Sequence, residues 1–123
     1  MTGSQRALAT FFTVAGVMHF VIPRRYEAIV PPYLPYHREV VAISGVAEVA
    51  GGLAVIAPST RRPVARWWLI ALLVAVFPAN VHMAIHPEQV EGLGRSRASR
   101  WALWARLPLQ PLMAWWVWRA TRD

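Results

Sequence analysis

The sequence predicts an all-α integral membrane protein: a single domain over residues 1–123, built as a four-helix bundle with a Pro-rich loop between helices 1 and 2. Three observations carry this prediction. The chain is 56% hydrophobic and 15% charged, against about 45–50% and about 25% in ordinary globular domains, which leaves too little charge to coat a water-soluble surface. The charges sit between apolar runs: residues 7–23 and 67–87 carry none with His neutral, 40–60 carry only Glu48, and 101–118 only Arg106. As helices these runs of 17 to 21 residues are about 25–31 Å long, close to the ~30 Å hydrocarbon thickness of a bilayer.

The first span, about residues 5–22, has Arg6 before its apolar run and so resembles a signal peptide, but it meets Arg24-Arg25 without a small-x-small cleavage site, and three more spans follow. It reads as a retained anchor. Pro23 and the run Pro31-Pro32-Tyr33-Leu34-Pro35 end it and form the first loop, because proline is tolerated at helix starts and turns rather than in helix interiors. The second span covers about 40–57, and Pro58 to Pro63 forms the next connection. The third covers about 65–86. A polar stretch from Pro87 to Arg100, with Gly92 and Gly94, leads to the fourth span, about 100–119. No stretch alternates with period two, so a β-barrel is not expected.

All thirteen basic residues are Arg, against six acids, for a net charge of +7. Threaded alternately, Arg6, Arg61, Arg62, Arg66, Arg119 and Arg122 fall on the side of the termini and Arg24, Arg25, Arg38, Arg95, Arg97 and Arg100 on the other, a tie that the positive-inside rule does not break. The expected location is the bacterial plasma (inner) membrane with both termini cytoplasmic. Trp67, Trp68, Trp115, Trp116 and Trp118 are expected at one interface, and Trp101, Trp104, Tyr26, Tyr33 and Tyr36 at the other. The Arg residues are dispersed at helix ends rather than gathered on one face, which points to lipid head groups and away from nucleic acid.

Polar residues inside the spans are the candidates for function. Glu48 lies nine residues from Glu39, roughly 13–14 Å along a helix and so near the midplane. A carboxylate there costs about 2.5–3.5 kcal/mol on insertion scales, so it should face the bundle interior and be protonated or paired. Its helical neighbours Ser44, Gly45, Gly51 and Gly52 are small, which admits a second helix or a ligand. His19 ends span one, Asn80 follows Pro78 in span three, and Arg106 has Gln110 one turn further on. These depths agree with one buried polar pocket made by His19, Ser44, Glu48, Pro78, Asn80, Arg106 and Gln110, roofed by Tyr33, Leu34, Pro35 and Tyr36. A Glu48–Arg106 or Glu48–His19 pair that only fixes helix register is the competing reading.

The chain has no Cys, which excludes disulfides, thiolate metal sites and dithiol chemistry of its own. His82 and His86 stand four apart, the spacing of a metal or haem ligand pair. No acid on that turn completes a set, and no metal is expected there. His37 reads as a loop residue.

The motifs Gly16-Val17-Met18-His19-Phe20, Pro23 with Tyr26, Ile29 to Pro35, Ser44-Gly45-Val46-Ala47-Glu48 followed by Gly51-Gly52, and Val76-Phe77-Pro78-Ala79-Asn80 with Met83 resemble, in order over about residues 15–85, the DoxX-like family of small four-helix membrane proteins. The resemblance implies that architecture, and it implies a link to the DoxD-type subunit of thiosulfate:quinone oxidoreductase and to membrane partners in oxidative-stress complexes. It carries over to His19, Pro32, Leu34, Pro35, Glu48, Pro78 and Asn80.

Two functions follow as expectations. In the first, the protein is an accessory or ligand-binding subunit of a membrane redox system, with a quinone or another lipophilic molecule in the pocket. Glu48 and His19 exchange protons there, and Asn80 and Arg106 hold oxygens. In the second, it is a non-catalytic scaffold or lipid-binding bundle, alone or as a homo-oligomer, whose buried polar groups serve packing. A small transporter or a membrane-embedded isomerase would use the same pocket.

Overall fold

In the computed structural model, residues 1–30, 33–86 and 97–122 are described; they are mostly helical and contain no strand. The chain order is α1 (Gly3–Val21), α2 (Pro23–Ile29), α3 (His37–Ile56), α4 (Pro58–Thr60), a π-helical turn (Arg61–Ala65), α5 (Arg66–Ile85) and α6 (Arg97–Ala120).

Local chemistry sets the boundaries. Thr2 and Gln5 cap α1 reciprocally: the Gln5 amide donates to Thr2 Oγ1 at 3.1 Å and the Thr2 amide to Gln5 Oε1 at 3.0 Å, which satisfies two otherwise orphaned donors. Pro23 opens α2, where its missing N–H costs nothing and its fixed φ suits a first turn. Tyr36 caps α3 with φ 57° and ψ 50°, a left-handed turn at which the chain enters the helix. Pro58 starts α4 in the same way as Pro23 starts α2.

Two predicted connections contain helix. The segment 58–63, predicted as a connection, is helical and runs through the π-helical turn into α5. As the spans 65–86 and 100–119 require, Pro78 lies inside α5, and Pro108 and Pro111 lie inside α6. The seven-residue α2 is a further helix, within the predicted Pro-rich connection.

Neighbouring helices run antiparallel. α1 lies along α3, and glycine permits the approach: a Cβ on Gly16 would stand 2.6 Å from the Gly45 carbonyl oxygen, and one on Gly52 2.5 Å from Thr13 Oγ1 and 3.0 Å from the Ala9 carbonyl oxygen. Gly51 faces the other way, onto Leu69 and Trp68 of α5. The opening of α5 meets the end of α6, where Trp67 and Trp118 pack edge to face at 5.6 Å. The apolar core, with Leu8, Phe12, Val55, Leu69, Leu73 and Val117 at its centre, occupies the half of the molecule that holds the termini.

Two helical stretches, His37–Ile56 and Pro58–Ile85, are long and apolar enough to cross a membrane by length and composition. The other two predicted spans are helices of sufficient length, but their composition is more polar. Ser4, Gln5, Arg6 and His19 dilute α1, and two arginines, two prolines and Gln110 dilute α6 between Arg100 and Pro111. Large apolar side chains are nevertheless exposed on all four long helices, among them Phe11, Phe20, Ile43, Leu53, Val74, Phe77, Leu112 and Trp115.

Candidate functional site

The half of the molecule away from the termini contains the buried His19 and Asn80, with Glu48 midway along α3. His19, in the last turn of α1, is buried, and its Nδ1–H donates to the Ala15 carbonyl at 2.7 Å. A carbonyl oxygen can only accept, so the proton resides on Nδ1 and Nε2 of the neutral ring keeps its lone pair. Glu48, midway along α3, brings Oε2 to 3.4 Å from the same Nδ1. That oxygen is buried and has no hydrogen-bond partner. The His19 proton is already committed to Ala15, so the Glu48 oxygen still needs a donor, and an unmet buried acceptor carries a desolvation cost of about 1–3 kcal/mol.

The sequence explains the meeting. Gly16 and Gly45 bring α1 and α3 together one turn below His19 and one turn before Glu48, and a Cβ on Gly45 would strike His19 Cβ at 2.8 Å. Any larger residue at these positions would separate the imidazole from the carboxylate.

Tyr26 of α2 completes the group. Its ring stacks on His19, with centroids 3.9 Å apart and planes 20° apart. Burial pushes the phenol up from its ordinary value, the Glu48 charge pushes it further the same way, and Arg106 pulls it back. Tyr26 was expected as an interface anchor; the stacking makes it part of the site. Its spacing of seven from His19, two helical turns, was the available signal, although α1 ends and α2 begins between them.

The other predicted pocket residues lie as follows. Arg106 is exposed and forms no ion pair with Glu48, so the Glu48–Arg106 alternative is not formed; its guanidinium acts on Tyr26 through charge instead. Asn80 is buried in α5. Gln110 of α6 has a buried Oε1 with no partner, as Glu48 does. Ser44 is half-buried one turn before Glu48, and Pro78 is exposed. Of the roof, Tyr33, Leu34, Pro35 and Tyr36 are all exposed, and Tyr33 rests edge-on against His82, with centroids 5.6 Å apart. Pro32 lies outside the described residues. His82 and His86 approach each other at 4.9 Å between ring centroids. Among the described residues, no group of three His, Cys, Asp or Glu side chains could hold a metal ion.

Three residues have roles that the sequence reading did not give them. Trp68 donates from Nε1 to the Ala47 carbonyl at 2.8 Å, which places it beside the middle of α3 rather than at a helix end with the other Trp residues. Arg61 and Arg66, expected at the membrane surface, are buried. Arg61 caps the end of α3, donating to the Val55 carbonyl at 2.7 Å and the Ile56 carbonyl at 3.2 Å. Arg66 caps the end of α6, donating to Thr121 Oγ1 at 3.0 Å and the Trp118 carbonyl at 3.1 Å. Cations suit these positions because the last carbonyls of a helix are unsatisfied and carry its negative dipole end.

Over residues 8–121 the chain matches the family described as a domain of unknown function, DUF8561. The chain belongs to that family. The matched region holds all of α2 to α6 and most of α1, so His19, Tyr26, Glu48, Asn80 and Arg106 are all within it. No curated protein and no solved structure matches the chain.

Proposed function

We propose that the chain is an integral membrane four-helix bundle of DoxX-like character that binds a lipophilic, oxygen-bearing small molecule at His19 and Glu48, as an accessory subunit of a membrane redox system. The carrying observation is the Glu48 Oε2 atom, buried without a donor 3.4 Å from an imidazole whose proton is already given to Ala15. A hydroxyl group entering here supplies the missing donor. Ionisable groups within apolar helices are expensive and by default mark sites. The exposed apolar side chains on every long helix support a lipid surrounding, since in water they would form patches far beyond those of a soluble monomer.

In this reading Glu48 accepts a proton from the bound molecule or returns one, and Nε2 of His19, whose lone pair is left by the Nδ1–H bond to Ala15, is a second acceptor for the molecule's hydroxyl protons. Asn80 and Gln110 offer amide groups to the ligand's oxygens, and Arg106 supplies positive charge near the Tyr26 end. Electrons belong to a partner protein. Quinones are the class that the DoxX-like resemblance suggests, and the bacterial plasma membrane, with cytoplasmic termini, is the corresponding location.

The glycine contact between α1 and α3 favours a second reading, a scaffold in which the pair only fixes register. Purification in mild detergent, followed by solvent extraction and mass spectrometry of the extract, separates the two. A co-purifying lipophilic hydroxyl or quinone compound that is lost in Glu48→Gln supports the site; the same extract from wild type and variant supports the scaffold.

A further inference from the structure

The opposite end of the molecule carries a second feature that the proposed site does not use. Arg66 is held at 4% exposure by its two bonds to the end of α6, and its guanidinium lies 4.1 Å from the centroid of the Trp118 ring. Two further cations, Arg62 and Arg122, are exposed and are near enough that both charges act on Arg66. Arg62 is one helical turn from Arg66, and Arg122 directly follows Thr121, the residue that Arg66 bonds. The fold thus pins one arginine and gathers two exposed ones around it. Among the described residues no acid lies at this end: Glu27 and Glu39 are in the far half and Glu48 is midway along α3. Asp123 lies outside the described residues.

Three like charges held together with no counter-charge among the described residues suit an anion. The surroundings indicate which kind, because Trp67, Trp115 and Trp118 are exposed around the same helix ends, and Arg119 lies 5.5 Å from the Trp115 ring centroid. Exposed Trp rings beside arginines are the composition of a membrane–water interface, the depth at which lipid phosphates lie.

We propose that Arg62, Arg66 and Arg122 form a binding site for the phosphate of an anionic phospholipid, at the end of the bundle that holds both termini. Arg66 is the fixed member and stays seated on α6; Arg62 and Arg122 close on the phosphate from the surface. The site is separate from the His19–Glu48 site, and neither depends on the other.

The test uses the full chain in nanodiscs of phosphatidylcholine with or without a minority of phosphatidylglycerol. Native mass spectrometry after partial delipidation should find phosphatidylglycerol retained in preference to phosphatidylcholine. The double variant R62Q/R122Q leaves the buried Arg66 in place and should lower that retention by about 30-fold, from about 5-fold per arginine near an anionic surface, while R62K/R122K should keep most of it. The retention should fall as salt rises. Equal retention of the two lipids, or equal retention by wild type and R62Q/R122Q, would overturn the proposal. Displacement of the lipid by millimolar inorganic phosphate would overturn the lipid as its occupant. Retention that appears only in D123N would mean that the Asp123 side-chain carboxylate neutralises the cluster, and would also overturn it.

Discussion

His19 and Glu48 face each other at 3.4 Å without sharing a hydrogen bond, because the one imidazole proton aimed that way is spent on the Ala15 carbonyl. This geometry makes opposite stability predictions for a ligand site and for a packing clamp. Removing one partner of a buried pair that holds the fold together costs about 3–5 kcal/mol. An orphaned acceptor contributes nothing of that kind, so Glu48→Gln should change stability by less than about 1 kcal/mol and Glu48→Leu should be neutral or stabilising. Thermal unfolding in detergent, followed by near-ultraviolet circular dichroism of the Trp residues, measures this; a large loss in both variants favours the clamp.

The α1–α3 contact predicts two glycine substitutions of opposite effect. Gly16→Ala should destabilise by about 1–3 kcal/mol despite the better helix propensity of Ala, because the new Cβ would meet the Gly45 carbonyl oxygen at 2.6 Å and the Val49 amide nitrogen at 2.8 Å. Gly3→Ala, with nothing within 4 Å, should be neutral or gain up to about 1 kcal/mol. Denaturant titrations of both variants in one detergent provide the comparison.

Tyr26 reports on the site by titration. Burial and then the Glu48 charge favour its neutral form in the fold, and Arg106 opposes them. Phenolate absorbance, isolated by subtracting Tyr26→Phe, should appear only above the ordinary Tyr value of about 10. Glu48→Gln should move it down, and Arg106→Gln should move it up. The linked stability is fully present below the unfolded value of about 10 and is lost as pH rises through the higher folded value. Midpoints that move in neither variant would contradict the electrostatic grouping of these three residues.

The absence of native Cys allows topology to be read by single-cysteine labelling without background. Thr2→Cys and Arg122→Cys should react with a membrane-impermeant maleimide from one side, and Tyr36→Cys from the other. Ala50→Cys, exposed on α3, should be protected in membranes and react in denaturant. Labelling of Thr2 and Tyr36 from the same side would contradict a first span.

The helices were legible in the sequence because apolar runs and their flanking charges are local signals: the predicted spans 5–22, 40–57, 65–86 and 100–119 correspond to helices Gly3–Val21, His37–Ile56, Arg66–Ile85 and Arg97–Ala120. His19 and Glu48 stood out in the sequence as candidates because an ionisable group in an apolar run is costly wherever it packs. Their pairing was less so, since Arg106 offered an equally plausible depth, and only the Gly16–Gly45 contact decides in favour of His19. Arg61 and Arg66 have the sequence appearance of interfacial charges; that they cap α3 and α6 depends on where those helix ends come in space. Trp68 resembles its neighbour Trp67 in sequence, and only the α3–α5 packing gives it the Ala47 carbonyl.

The central claim is that Glu48 holds a ligand within the membrane bundle. Equilibrium binding of a short-chain quinol to the chain reconstituted in nanodiscs tests it most directly, with Glu48→Gln as the comparison. Saturable binding that weakens by about 10–100-fold in the variant is expected, corresponding to a charge-assisted hydrogen bond of about 1.5–3 kcal/mol. Absence of saturable binding, or equal affinity in the correctly inserted Glu48→Gln chain, would contradict it.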